Sequence, residues 1–188
     1  MTATEPAQIS VERLQYLIDR QEILDCLRRL ARGMDRHDPE MIASAYHPDG
    51  YDDHGVFRGG VPECVTWLNG SDTEEGVHAA MLLTHQHLLT NNYVDLDGDD
   101  AHSETHYLFV GHLRLEPAIQ ITAGRYVDHL QRRDGEWKIA VRRVVMECCT
   151  LLQNPEDMSA GTRALFTRGT WDRSDVSWER PLTIRPPA

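Results

Sequence analysis

No apolar run in this chain approaches the ~20 residues that a membrane-spanning helix needs; the longest, AAMLL and the LL after CCT, stop far short. The first ten residues, MTATEPAQIS, lack a basic region followed by an apolar stretch, so no secretory signal is read and the cytoplasm is the expected compartment. Positive charge is scarce: 19 Lys and Arg stand against 30 Asp and Glu, a formal net charge of -11. That balance argues against a phosphate-backbone or anionic-membrane partner. The four cysteines, at 26, 64, 148 and 149, show no C-x-x-C spacing, and adjacent cysteines rarely bridge one another, so reduced thiols are expected. There is no H-E-x-x-H, no G-x-G-x-x-G and no serine or cysteine elbow, which removes the usual signatures of zinc, nucleotide and covalent chemistry. Internal repeats and low-complexity tracts are absent.

What is present divides in two. From Ser10 a helical period runs through Leu14, Leu17, Ile18, Leu24, Leu27, Ala31 and Met34, predicting a long helix with a kink near Gln21. Asp38-Pro39 is an N-cap followed by a first-turn proline, which predicts a second helix over Pro39 to His47. A turn at Asp49-Gly50, a strand over Tyr51 to Phe57, a helix over Pro62 to Leu68 and the polar loop NGSDTEEG follow. Beyond it, Gln86 to Leu96, His102 to Leu115, Ile119 to Arg133 and Glu136 to Met146 read as four antiparallel strands, with hairpin turns at Asp97-Gly98 and Asp134-Gly135. Helices followed by a long meander predict an α+β fold in which a strongly curved sheet wraps the helices into a cone with an open mouth. The expected organisation is an extended or disordered stretch at 1–9, the cone domain at 10–152 and an irregular arm at 153–188. The arm carries Pro155, Trp171, Trp178, Pro181, Pro186 and Pro187. Trp171, Trp178, Leu165, Phe166 and Ile184 are interrupted by charge and cannot form a core of their own, which predicts packing on another surface, either the arm's own domain or, the preferred reading, a neighbouring subunit.

Asp35 ends the apolar stripe on the row of Leu24, Arg28 and Ala31, so it falls at the core-facing edge of the helix end. An acid near a helix terminus is ordinarily a cap or a solvated group, but Asp38 already supplies the next cap. In partly apolar surroundings a carboxylate gains proton affinity and suits general base work. Ten histidines are present, among them His54 in YDDHGVF, His85 and His87 at the start of one strand, and His106 and His112 on the next. Without a familiar ligand spacing, metal binding by His85, His87 and His54 is the weaker reading, and a strand histidine is more often a hydrogen-bonded structural group.

The order MDRHDPE, YDDHGVF, HQHLLTNNYVDLDGD and RRDGEWKIAVRR resembles the SnoaL-like enzymes of the nuclear-transport-factor-two-like superfamily, over roughly Val11 to Met146. The DGEWKI strand is common across that superfamily and speaks to fold. The Asp and His positions are similar to those of its scytalone dehydratase and lindane dehydrochlorinase branches, which work with a His-Asp dyad and neither metal nor organic cofactor. The resemblance implies that the dyad falls on Asp35 and His87, with His87 as base. It places a second histidine on His112, favoured over His106, and puts His54 where the dehydratases carry a tyrosine. It implies an arginine at Arg142, although alternation along the strand would turn Arg143 inward unless a bulge intervenes, and a polar lining group at Tyr126. Tyr46, Tyr51 and Asn91 complete the expected lining. The implied activity is cofactor-independent elimination of water, halide or a small aldehyde from a mid-sized aromatic or alicyclic substrate. Double-bond isomerisation and a non-catalytic role, such as the small subunit of a ring-hydroxylating dioxygenase, are the alternatives. A homo-oligomer, dimer or trimer, is expected.

Overall fold

Ser10 opens the first helix by accepting a hydrogen bond from the Arg13 N–H at 3.2 Å. The computed structural model describes residues 9–71, 75–153 and 159–183. Helix α1 (Val11–Asp35) runs without interruption through Gln21, and its buried stripe is Ile23, Cys26, Leu27, Leu30, Ala31 and Met34. The same stripe continues back to Leu14, Leu17 and Ile18, but these are about half exposed. Asp38 caps α2 (Pro39–Ser44), accepting from the Met41 N–H at 2.9 Å, with Pro39 at its first turn. The two helices cross closely at Gly33, where a Cβ would sit 2.9 Å from the Ile42 nitrogen, so only glycine fits there.

Strand β1 (Tyr46–Asp53) begins five residues earlier than the sequence suggests and absorbs the anticipated Asp49-Gly50 turn as an irregularity between Tyr46 and Tyr51. The shorter α2 follows: Tyr46 is taken by the sheet, where it pairs with Ile139. Strand β2 (Arg58–Gly60) and helix α3 (Val61–Asn69) come next, then a short helix α4 (Val77–Met81) that the polar loop had concealed. The meander consists of β3 (Leu82–Asp97), β4 (Asp100–Leu113), β5 (Ala118–Arg133) and β6 (Glu136–Gln153). Both anticipated hairpin turns are present, with Gly98 at φ +62°, Asp134 at +53° and Gly135 at +82°, the left-handed region in which Asp and Gly are favoured. The six strands form one curved, unclosed sheet in the order β2-β1-β6-β5-β4-β3, antiparallel except where β1 runs parallel to β6. This is the α+β cone. Its core packs Ile23, Leu27, Leu30 and Met34 of α1 against Val94, Ala101, Leu130, Trp137 and Ile139 of the sheet. Among the described residues no helix is long and apolar enough to cross a membrane.

The arm corrects an expectation. Its described part, α5 (Ala160–Arg163) and the 3-10 turn Val176–Trp178 included, does not wait for another subunit to receive its tryptophans. Trp171 stacks on His37 with ring centroids 4.0 Å apart, and Trp178 lies under Arg32 and Arg173 at 4.8 and 3.9 Å. Arg173 pairs with Asp38 at 2.9 Å, and Arg36 approaches Asp175 at 3.6 Å. The charged residues that prevent the arm from forming a core thus match charges at the α1–α2 corner of the same chain. Leu165 and Phe166 remain exposed; Pro155, Ile184, Pro186, Pro187 and the stretch 1–8 lie outside the described residues.

Candidate active site

Asp35 is the last residue of α1, and His87 stands in β3 opposite it. The Asp35 Oδ1 accepts from His87 Nδ1 at 2.7 Å, while both carboxylate oxygens lie 3.0 and 3.1 Å from the His87 backbone N–H. A carboxylate can only accept, so the bond fixes the proton on Nδ1 and leaves the Nε2 lone pair of a neutral ring free. The side chains are largely withdrawn from water, 6% and 17% exposed. They form one wall of a cleft of about 420 Å³ completed by Arg28, Ala31, Arg32, Arg36 and Leu89. Arg28 and Arg32 are four residues apart and therefore share one face of α1, and Arg36 follows at the C-cap.

Behind the dyad, His85 is buried and donates from Nε2 to the Met34 carbonyl at 3.2 Å, with Asp35 Oδ1 3.9 Å away. His78 of α4 packs on it, ring centroids 4.3 Å apart, and His37, Phe109 and Trp171 close around the pair. Side chains of α4 and of the arm therefore pack against His85 on the same face of β3 as the dyad. Burial pulls the pKa of His37 and of His85 down to about 4 and that of His78 further still. At neutral pH all three are uncharged. Two groups bring ligand atoms within 4.8 Å of one another: His37, His78 and His85, and separately Asp35, His85 and His87.

Deeper in the cone, Tyr46 donates to Asp52 and His54 Nδ1 makes a short contact with the other Asp52 oxygen. Burial works to raise the Asp52 pKa, but His54, Tyr46 and the charge of Arg142 together hold it below the usual carboxylate range. Arg142 is inward and 1% exposed, and a register shift between Ile139 and Val141 supplies the bulge that turns it there in place of Arg143. Its Nε and Nη2 bind Asp128 at 2.7 and 2.8 Å, and its guanidinium lies 4.1 Å over the Tyr126 ring. Its charge is thus matched within the protein. Tyr126 is buried and stacks on Tyr107.

One expected catalytic residue, His112, and two expected lining residues, Tyr51 and Asn91, point elsewhere. His87 faces Phe109 across the β3–β4 ladder, and the pleat that brings His85, His87, Phe109 and Gly111 to one face turns His112, and His106 with it, to the other. Tyr51 is 42% exposed because β1 directs Asp52 inward. Asn91 falls in the shift between Leu89 and Asn92, which leaves it exposed and aims Asn92 at Ser103 and Thr105 at 2.9 and 2.6 Å. His37, His78 and Asp128 escaped sequence reasoning. The unusual number of histidines was the one signal that bore on the first two.

A cone of this topology, with a helix-end acid bonded to a strand histidine, defines a class, and the chain belongs to the SnoaL-like domain family, whose model matches residues 15–143. No curated protein matches the sequence. Among solved structures, a type 2 hexachlorocyclohexane dehydrochlorinase (LinA) superposes with a TM-score of 0.68 at 23% identity, over 79% of this chain and 98% of that one. The type 3 LinA of Novosphingobium barchaimii gives 0.66 at 22%, over 78% and 98%. A scytalone dehydratase candidate from Novosphingobium aromaticivorans gives 0.63 at 20%, over 77% and 97%. These likenesses establish the nuclear-transport-factor-two-like fold.

Proposed function

We propose that the protein is a small-molecule lyase in which His87 removes a proton from a substrate carbon and Asp35 holds the imidazole. The observation that carries this reading is the Nδ1–Oδ1 bond at 2.7 Å, which aims a free Nε2 lone pair away from the carboxylate at the edge of a cleft. As the C–H electrons form the new double bond, the leaving group on the adjacent carbon departs with its own bonding pair. A halide leaves unaided; a hydroxyl takes back the proton that His87 has just acquired. Asp35 stabilises the imidazolium between these events, and the arginines of the cleft wall suit a substrate bearing polarised oxygen or halogen. The dehydrochlorinase and dehydratase names of the similar structures fit an elimination on an alicyclic or aromatic compound. Double-bond isomerisation would begin with the same proton abstraction and return the proton to a different carbon.

The test is a panel of halogenated and hydroxylated alicyclic and aromatic compounds assayed in deuterated water. Elimination releases halide or water and leaves a new double bond, whereas isomerisation loses no group and changes mass only by the solvent deuterium taken up on reprotonation. Asp35→Asn should lower turnover by roughly 10²–10⁴-fold, the span of general base catalysis, with a melting temperature close to that of the parent. Full turnover by that variant would reduce Asp35 to a structural acid.

A further inference from the structure

Three imidazoles from three separate elements meet beneath Trp171. His37 comes from the α1–α2 corner, His78 from α4 and His85 from β3, and one ring nitrogen of each lies within 4.8 Å of the other two. Buried histidines ordinarily satisfy both nitrogens. Here His37 Nε2, His78 Nδ1 and His85 Nδ1 are all buried without a hydrogen-bond partner among the described residues. Three such atoms on three touching rings is a concentration of unmet polar groups that packing alone does not explain. At His85 the character of the unmet atom is fixed. Its Nε2 donates to the Met34 carbonyl, so in the neutral ring Nδ1 carries a lone pair. A buried lone pair needs a donor or an electron-pair acceptor, and three imidazole nitrogens grouped this closely can share a single acceptor.

We propose that His37, His78 and His85 form a three-imidazole site for a divalent transition metal, zinc being the ion best suited, that clamps the α1–α2 corner and α4 to β3. The surroundings fit this chemistry. A metal-bound histidine generally donates its second N–H to a carbonyl or carboxylate, as His85 does to Met34, and the Asp35 carboxylate 3.9 Å from that nitrogen supplies opposing charge. His37 is held at φ +49°, an uncommon conformation for a residue with a side chain, and Trp171 stacks flat on its ring at an interplanar angle of 12°. Zinc–nitrogen bonds of ~2.1 Å in a tetrahedron bring ligand atoms to about 3.4 Å from one another, so binding would draw the three rings inward. Three protein ligands leave a fourth position for water or a substrate oxygen. The second group, Asp35, His85 and His87, is the poorer candidate, because Asp35 and His87 already satisfy each other.

The inference is independent of the reaction proposed above and is tested without a substrate. Full-length protein freed of metal by a chelator is titrated with Zn²⁺ in a calorimeter and with Co²⁺ in a visible spectrometer. The expected result is one ion per chain, the absorption of four-coordinate cobalt, and a rise in melting temperature with equimolar Zn²⁺ that requires no variant. His37→Gln and His78→Gln, each checked for fold by circular dichroism, should weaken binding beyond the roughly 10–100-fold that loss of a supporting partner costs. His87→Gln should leave it intact. Absence of saturable binding to the parent chain would overturn the site, as would affinity unchanged in both the His37 and His78 variants or lost only on replacing His87.

Discussion

A guanidinium and a carboxylate removed from water each lose several kcal/mol of hydration, and only close mutual geometry recovers it. Arg142 and Asp128 meet that condition with two parallel hydrogen bonds at the centre of the cone, their side chains 2% and 0% exposed. Asp128→Asn leaves the arginine charge without its counter-ion and should destabilise the fold by about 3–5 kcal/mol, measured as a lower urea midpoint. Replacing both partners, with Asp128→Leu and Arg142→Met, should recover most of that loss. A double variant no more stable than Asp128→Asn would mean that Arg142 holds the interior through Tyr126 rather than through Asp128. At this scale the sequence was legible where one residue answers to its local neighbours. Ser10, Asp38 and the position of Asp35 at the end of an apolar row are of that kind. It was not legible where a bulge resets the alternation: one shift brings Arg142 inward, and another exchanges Asn91 for Asn92. His112 was placed by its distance along the chain, whereas the pleat relative to His87 decides which face it occupies.

Among the elements, the arm is held to α1 and α2 largely by charge. Asp175 accepts from the backbone N–H groups of Thr170 and Ser177 and lies near Arg36, and its pKa is lowered to about 2 by the Ser177 and Thr170 hydrogen bonds first and by Arg36 after them. A carboxylate with a depressed pKa in the folded state stabilises it above the unfolded value of 3.8 and loses that contribution as pH falls toward 2. Acidification through this window should therefore release the arm and expose Trp171 and Trp178, read as a red shift in tryptophan emission. Asp175→Asn should show the shifted emission already at neutral pH. The docking itself could not be read from the sequence, because Trp171 and His37 meet across the whole domain and neither has a local signature. The hairpins, by contrast, were legible through their Asp-Gly turns, whose geometry is decided within four residues.

For the whole molecule, the far end of the β5–β6 hairpin stands out. From Glu147 to Gln153 the last strand is exposed on both faces, and Met146, Leu151 and Leu152 are 65%, 45% and 53% accessible. Apolar area left in water at ~25 cal/mol per Å² favours a cover, and a second copy of the chain is the cover proposed, in line with the homo-oligomer expected from the resemblance. Leu151→Asp combined with Leu152→Asp should lower the mass found by analytical ultracentrifugation without loss of secondary structure; an unchanged mass would remove this strand from any interface.

The parallel pairing of β1 with β6 also governs how the chain becomes a protein at all. Among the described residues, the strand that follows the first two helices has β2 and β6 as its neighbours, and β6 is the last of the strands in chain order. The N-terminal third therefore keeps one edge of its sheet unpaired until β6 has been made. Contacts of such long sequence separation close large loops and slow the search for the native state. Any fragment ending before Glu136 lacks the strand that joins its two halves, so folding should be a single late event in which helices, sheet and site are completed together.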